Sequence, residues 1–168
     1  WQRRKSVHFT EYKMLADDFG RAFGLDPWLL AAEFHRCGLV DFKESTGLDC
    51  MARGVEKVLA RVRAKYAQYG ITDEPYVYVK AESGTYGMGI MTVRSPEEIL
   101  ALNKKSRNKM HVVKEGARVS EVIIQEGVPT VDHVDGKPAE PLIYIIDGVP
   151  VGGMFRVNGQ RDALNNLN

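Results

Sequence analysis

The sequence is short of cysteine, of net charge and of long apolar runs, and each shortage removes a class of protein. Only two cysteines, Cys37 and Cys50, occur in 168 residues. Neither has CxxC or Cys/His spacing, which argues against a disulfide framework and a structural zinc site. Both are expected as buried free thiols of a reducing, cytoplasmic protein. Lys and Arg number 23 against 22 Asp and Glu, a net charge of +1. That balance gives no global pull toward nucleic acid or an anionic membrane. The basic clusters Gln2–Lys5 and Lys104–Lys109 are read as solvated faces. No apolar run approaches the roughly 20 residues of a membrane span. The charged start, with no apolar stretch behind it, is expected to hold no signal peptide. A start at Trp1 rather than Met and a stop at Asn168 read as an internal portion of a longer chain. No repeat or low-complexity segment is present, and composition carries no reading of oligomeric state.

What is present begins with helical periodicity. Phe9, Tyr12, Leu15, Ala16, Phe19 and Phe23 recur at steps of three and four, predicting a helix with one apolar face that stops at Gly24. Asp26-Pro27 has the form of a second helix start, with Trp28, Leu29, Ala32 and Phe34 on its core side and Gly38 closing it. A third helix is predicted from about Leu48 to Tyr69, with Met51, Val55, Val58, Leu59, Val62 and Tyr66 on one stripe and Gly70 as its stop.

After Gly70 the pattern changes to short segments rich in β-branched and aromatic residues. Tyr76–Val79 and Ile90–Val93 read as strands. Ser95-Pro96-Glu97-Glu98 has the form of a capping box opening a helix to about Lys104. Ser120–Glu126, Glu140–Asp147 and Val149–Val157 read as further strands, the last two joined by a hairpin turn at Asp147-Gly148. The order, helices and then hairpins, is that of an α+β protein.

One stretch carries chemistry, VKAESGTYGMGIMTV at Val79–Val93. Lys80 stands before Gly84, Gly87 and Gly89. A Walker loop places its lysine after the glycines and opens a helix, and a dinucleotide fingerprint also opens a helix. Here a strand follows, so both fail. A glycine-rich flap between antiparallel strands fits the order. Glycines let backbone N–H groups approach phosphate oxygens, and a lysine on the entering strand adds a point charge. Downstream, the VIIQEGV strand has the form of a linker offering backbone acceptor and donor to an adenine edge. Arg156 lies on a strand, suited to developing phosphoryl charge. Asn166 and Asn168 fall on one side of an extended segment, oxygen ligands of a kind that suits Mg²⁺.

This order resembles ATP-grasp ligases. More narrowly, RRKSVHF, DPWLL, RCG, RAKYAQYGI, VKAESGTYGMGIMTVR, NKMHVVKEG, SEVIIQEGV and the final NLN resemble the proteobacterial class of glutamate–cysteine ligases, over nearly the whole chain. The resemblance implies an ATP-grasp-like fold, with a helical region over 1–70 and a nucleotide-binding region over 71–168 that is incomplete at its C-terminal end. It implies ligation of the γ-carboxyl of glutamate to cysteine with ATP and Mg²⁺, through an acyl phosphate, as the first step of glutathione synthesis.

Under it, Lys80 holds ATP phosphates, and Gly84, Thr85, Gly87 and Gly89 form the closing flap. Gln125, Glu126 and Val128 border the adenine, and Glu140 lies near the ribose. Arg156 faces the phosphoryl group or a substrate carboxylate, and Asn166 and Asn168 lie on the metal side. The partners implied are small molecules, with no nucleic acid and no membrane. The tail departs from the usual acidic metal ligands, which leaves Asp147, Asp162 or residues outside the chain for that role. The alternative reading is a nucleotide-binding regulatory or scaffold module without ligase activity.

Overall fold

The computed structural model describes residues 4–83, 89–111 and 118–157. Its residues fall into two compact units, Trp1–Gly127 and Val128–Asn168. In the first unit, helix α1 (Lys5–Phe23) and a 3₁₀ turn (Pro27–Leu29) lead into strand β1 (Phe34–Gly38) and helix α2 (Leu48–Tyr69). Strands β2 (Val77–Ala81) and β3 (Ile90–Val93), helices α3 (Pro96–Leu100) and α4 (Lys104–His111), and strand β4 (Glu121–Glu126) follow. The four strands form one antiparallel sheet in the order β1-β4-β2-β3.

The core lies between this sheet and α2. The stripe Met51, Val55, Val58, Leu59, Val62 and Tyr66 is buried, as its periodicity predicts, against Cys37, Val77, Val79, Val122 and Ile124. Two of the three predicted glycine stops hold: Gly24 and Gly70 take left-handed φ values of 68° and 67°, whereas Gly38 ends a strand. There the Leu25 and Ile71 N–H groups return to the Gly20 and Tyr66 carbonyls at 2.9 Å.

The second predicted helix does not form. Asp26 does cap Trp28 N–H at 3.0 Å, and Pro27 starts a turn, but the turn ends at Leu29. From Phe34 the chain zips onto β4 instead, Phe34 opposite Gln125 through Gly38 opposite Glu121. Sheet pairing overrides the local helix signal. Two smaller expectations also change. The helix opened by Pro96 ends at Leu100, and a separate helix begins at Lys104. Glu98 accepts from Arg94 N–H at 3.3 Å rather than closing a capping box on Ser95. In α1 the predicted apolar face is largely uncovered within this chain, with Tyr12, Leu15, Phe19 and Phe23 exposed.

Asp26 fastens the 3₁₀ turn to α2. Its carboxylate accepts from Lys65 Nζ at 2.5 Å, Trp28 N at 3.0 Å and Tyr69 Oη at 2.9 Å. The Lys65 bond first, and the Trp28 N–H next, hold its pKa down at about 2. A carboxyl depressed in the folded state contributes stability above its unfolded value, near 3.8, and loses it as pH falls through the folded one. Asp26→Asn is therefore expected to lower the urea midpoint at neutral pH and to flatten its decline between about pH 4 and pH 2. An acid limb identical to that of the parent protein would show that Asp26 carries none of it.

The second unit is an antiparallel sheet of β5 (His133–Val134), β6 (Lys137–Ile146) and β7 (Val149–Val157). Asp147 and Gly148 have φ values of 49° and 76°, the two positive angles of a type I′ hairpin turn. Asp135 and Gly136, at 51° and 72°, repeat it between β5 and β6.

Candidate functional site

The period of two along β2 separates core from site. Val77, Val79 and Ala81 are buried, while Tyr78 and Lys80 project from the opposite face. Residues paired across strands share a face. Tyr78 and Lys80 therefore stand beside Gln125 and Ile123 of β4, which stand beside Phe34 and Arg36 of β1. Lys80 Nζ donates to Gln125 Oε1 at 2.9 Å and lies 4.9 Å from the centre of the Tyr78 ring. Burial lowers the Lys80 pKa, and the neighbouring Lys5 lowers it further. Its side-chain acceptor among the described residues, the Gln125 amide, is neutral, so the surroundings of this ammonium favour an anion.

The N-terminus of α1 closes one end of this face. Lys5 N donates to Glu82 O at 3.1 Å and Lys5 Nζ to Ala81 O at 2.7 Å. Ser6 N and Ser6 Oγ donate to Glu82 Oε1 at 3.0 and 2.5 Å. Glu82 is 1% exposed, and its Oε2 has no hydrogen-bond partner among the described residues. A buried carboxylate at a helix N-terminus is favoured by the helix dipole and by the N–H groups there. Sequence reasoning missed Lys5, Ser6 and Glu82. The QRRK cluster was read as solvated, yet burial lowers the Lys5 pKa, partly opposed by Glu82.

The strands flanking the glycine stretch pair as a hairpin, Lys80 opposite Ile90 and Val77 opposite Val93. Gly89, at φ 64°, accepts from Ala81 N–H at 3.2 Å at the base of that hairpin. Gly84, Thr85 and Gly87 lie outside the described residues, as do Asn166 and Asn168.

The linker reading of β4 changes. This strand is central, paired with β1 on one side and β2 on the other, so its backbone groups are not an open edge for a base. Even at its end, Glu126 N donates to Glu33 O and Gly127 N to Tyr76 O, both at 2.8 Å. The Glu126 side chain is 3% exposed. It accepts Trp28 Nε1 at 3.0 and 3.1 Å and Glu33 N at 2.8 Å. It fastens the 3₁₀ turn to the sheet, and burial raises its pKa. Val128, in the second unit, is exposed.

In the second unit Glu140 and Arg156 face each other across β6 and β7 and form an ion pair. Among the described residues, Lys80 with Gln125 and Glu140 with Arg156 are thus the two pairs of candidates brought together. Among the described residues no group of three or more His, Cys, Asp or Glu could hold a metal ion. They do not make a Mg²⁺ site. No helix among them is long and apolar enough to cross a membrane.

The glutamate–cysteine ligase family model matches residues 1–168. A crystal structure of a candidate gamma-glutamylcysteine synthetase from Methylobacillus flagellatus KT is similar at 50% identity and a TM-score of 0.88, over 98% of this chain. The match covers 39% of that chain, so the present sequence spans about two fifths of its relative. No curated protein matches.

Proposed function

The chain belongs to the glutamate–cysteine ligase family, and from that membership we propose that its parent protein joins the γ-carboxyl of glutamate to the amine of cysteine at the expense of ATP. The observation that carries this reading is Lys80, desolvated and bonded to the neutral Gln125 beside the β2–β3 hairpin. A cation so placed suits the oxygens of a transferring phosphoryl group, where charge develops.

ATP supplies the phosphoryl group that turns the γ-carboxylate into an acyl phosphate, which the cysteine amine then opens. The glycine segment at 84–89 is the flap that excludes water from this intermediate, in an ATP-grasp-like arrangement. Val128 borders the adenine, and Gln125 orients Lys80 toward the phosphates. Glu140 and Arg156 act as a pair, with Arg156 turned to phosphoryl or substrate carboxylate when Glu140 is engaged elsewhere. Asn166 and Asn168 would lie on the Mg²⁺ side. The reaction is cytoplasmic, with small molecules as its partners.

Release of ADP and phosphate by the full-length protein tests this. Release is expected to require glutamate and to rise on adding cysteine. Release with glutamate that ignores cysteine refutes the amine substrate. ATP binding without any release replaces the ligase by a nucleotide-binding module.

A further inference from the structure

On the face that carries Lys80, across β4 and β1, a second cluster of charge opens to solvent. Arg36 Nη2 donates to Glu121 Oε1 at 2.5 Å, and Arg4 Nη2 to Glu121 Oε2 at 2.8 Å. Two guanidiniums thus converge on one carboxylate. Each has five N–H donors and spends one on Glu121, which leaves donors and one net positive charge for another anion. The place is a cleft of 460 Å³ lined by Arg36, Gly38, Leu39, Ser120 and Glu121.

Its rim is strained. Leu39 has φ 58° and is 92% exposed, a left-handed backbone on a bulky residue whose side chain stands in water. The surroundings enforce this. Val40 N donates to Ser120 O at 3.0 Å, and Gly47 packs so closely that a Cβ there would lie 2.7 Å from Leu39 O. A conformation held against its own preference, at the edge of a charged cleft, is the pattern of a ligand site.

We propose that this cleft is the subsite for the amino-acid end of the dicarboxylic substrate, Arg36 taking its α-carboxylate, Glu121 its α-ammonium, and Leu39 covering its methylenes. This rests on the ligase reading and assigns a place within it. Arg36 and Lys80 are both opposite Ile123, on the two strands that flank β4. Two strand spacings separate their backbones, about 10 Å. A substrate anchored at Arg36 therefore extends its far carboxylate toward the lysine that holds the phosphate. The zwitterion accounts for Glu121, which a simple anion site would not need.

The test uses the full-length protein and its Arg36→Ala, Arg36→Lys and Glu121→Gln variants. Arg36→Ala is expected to raise the KM for glutamate by roughly tenfold or more while the KM values for ATP and cysteine stay within about twofold. It is also expected to erase the preference for glutamate over 4-aminobutyrate, which lacks the α-carboxylate. Arg36→Lys keeps a charge and the fold, and is expected to restore part of that preference.

A glutamate KM unchanged in Arg36→Ala, or a rise in the cysteine KM instead, overturns the subsite and leaves the ligase standing. Calorimetric titration with glutamate separates the two claims. Binding that weakens with Arg36→Ala but supports no turnover keeps the subsite and removes the ligase.

Discussion

Gly127→Ala is expected to destabilise the first unit by about 3 kcal/mol or more, the upper end of what overpacking costs. A methyl on residue 127 would lie 2.0 Å from Cε2, 2.3 Å from Cδ2 and 2.5 Å from Cζ of Tyr76. The ring has nowhere to retreat. Tyr76 is 2% exposed and sits edge-on to Tyr78 with ring centres 5.4 Å apart. The backbone cannot move away either, because Gly127 N is tied to Tyr76 O at 2.8 Å. Urea denaturation measures the cost. Adding Tyr76→Leu to Gly127→Ala is expected to recover part of it, since the smaller side chain removes the clash and leaves only its own lost packing. A Gly127→Ala protein as stable as its parent would mean that the ring does not cover this residue.

Lys80→Ala is expected to raise the dissociation constant for ATP at least tenfold, about 1.4 kcal/mol, with the fold retained. Lys80 is partly buried and makes one neutral hydrogen bond, so its removal costs the protein little and a phosphate ligand much. The pH profile sharpens this. An anion favours the charged lysine, so ATP affinity is full below the Lys80 pKa and falls as pH rises through it. Burial and Lys5 place that fall below the ordinary lysine value of 10.5. The Lys80→Ala protein is expected to lose that fall, and titration of ATP binding across alkaline pH reads both effects. Equal ATP affinity in the two folded proteins would remove Lys80 from the phosphate site.

The legible parts of this fold are those fixed by periodicity and by glycine. The α2 stripe from Met51 to Tyr66 and the strands around Lys80 stand where alternation and three-and-four spacing place them. The Asp147-Gly148 turn follows from two positive φ angles that this pair tolerates. What was not legible depends on partners far away in sequence. Asp26-Pro27 starts a turn on local grounds, and only the pairing of β1 with β4, some ninety residues on, decides that a strand follows.

The site divides in the same way. Lys80 can be found from its order before the glycines. Glu82, held by Ser6, and Glu121, held by Arg4 and Arg36, cannot, because no local pattern joins a residue near the start to one so far along. Apolar periodicity alone also misplaces Tyr12, Leu15, Phe19 and Phe23, since it reports a face but not whether this chain supplies its cover.

The contact between Trp28 and Glu126 has an optical consequence. The chain has two tryptophans, Trp1 and Trp28. The Trp28 indole donates to a buried carboxylate and stacks on Tyr69 at 5.3 Å. Glu126 follows Gln125, the residue that holds Lys80. An indole in the field of that charge emits at a wavelength set by whether the carboxylate is ionised and by where it lies. A change in position or charge at the end of β4 would thus be written into the emission colour of Trp28. The protein carries its own fluorophore at the end of β4, and a Trp1→Phe background isolates its signal.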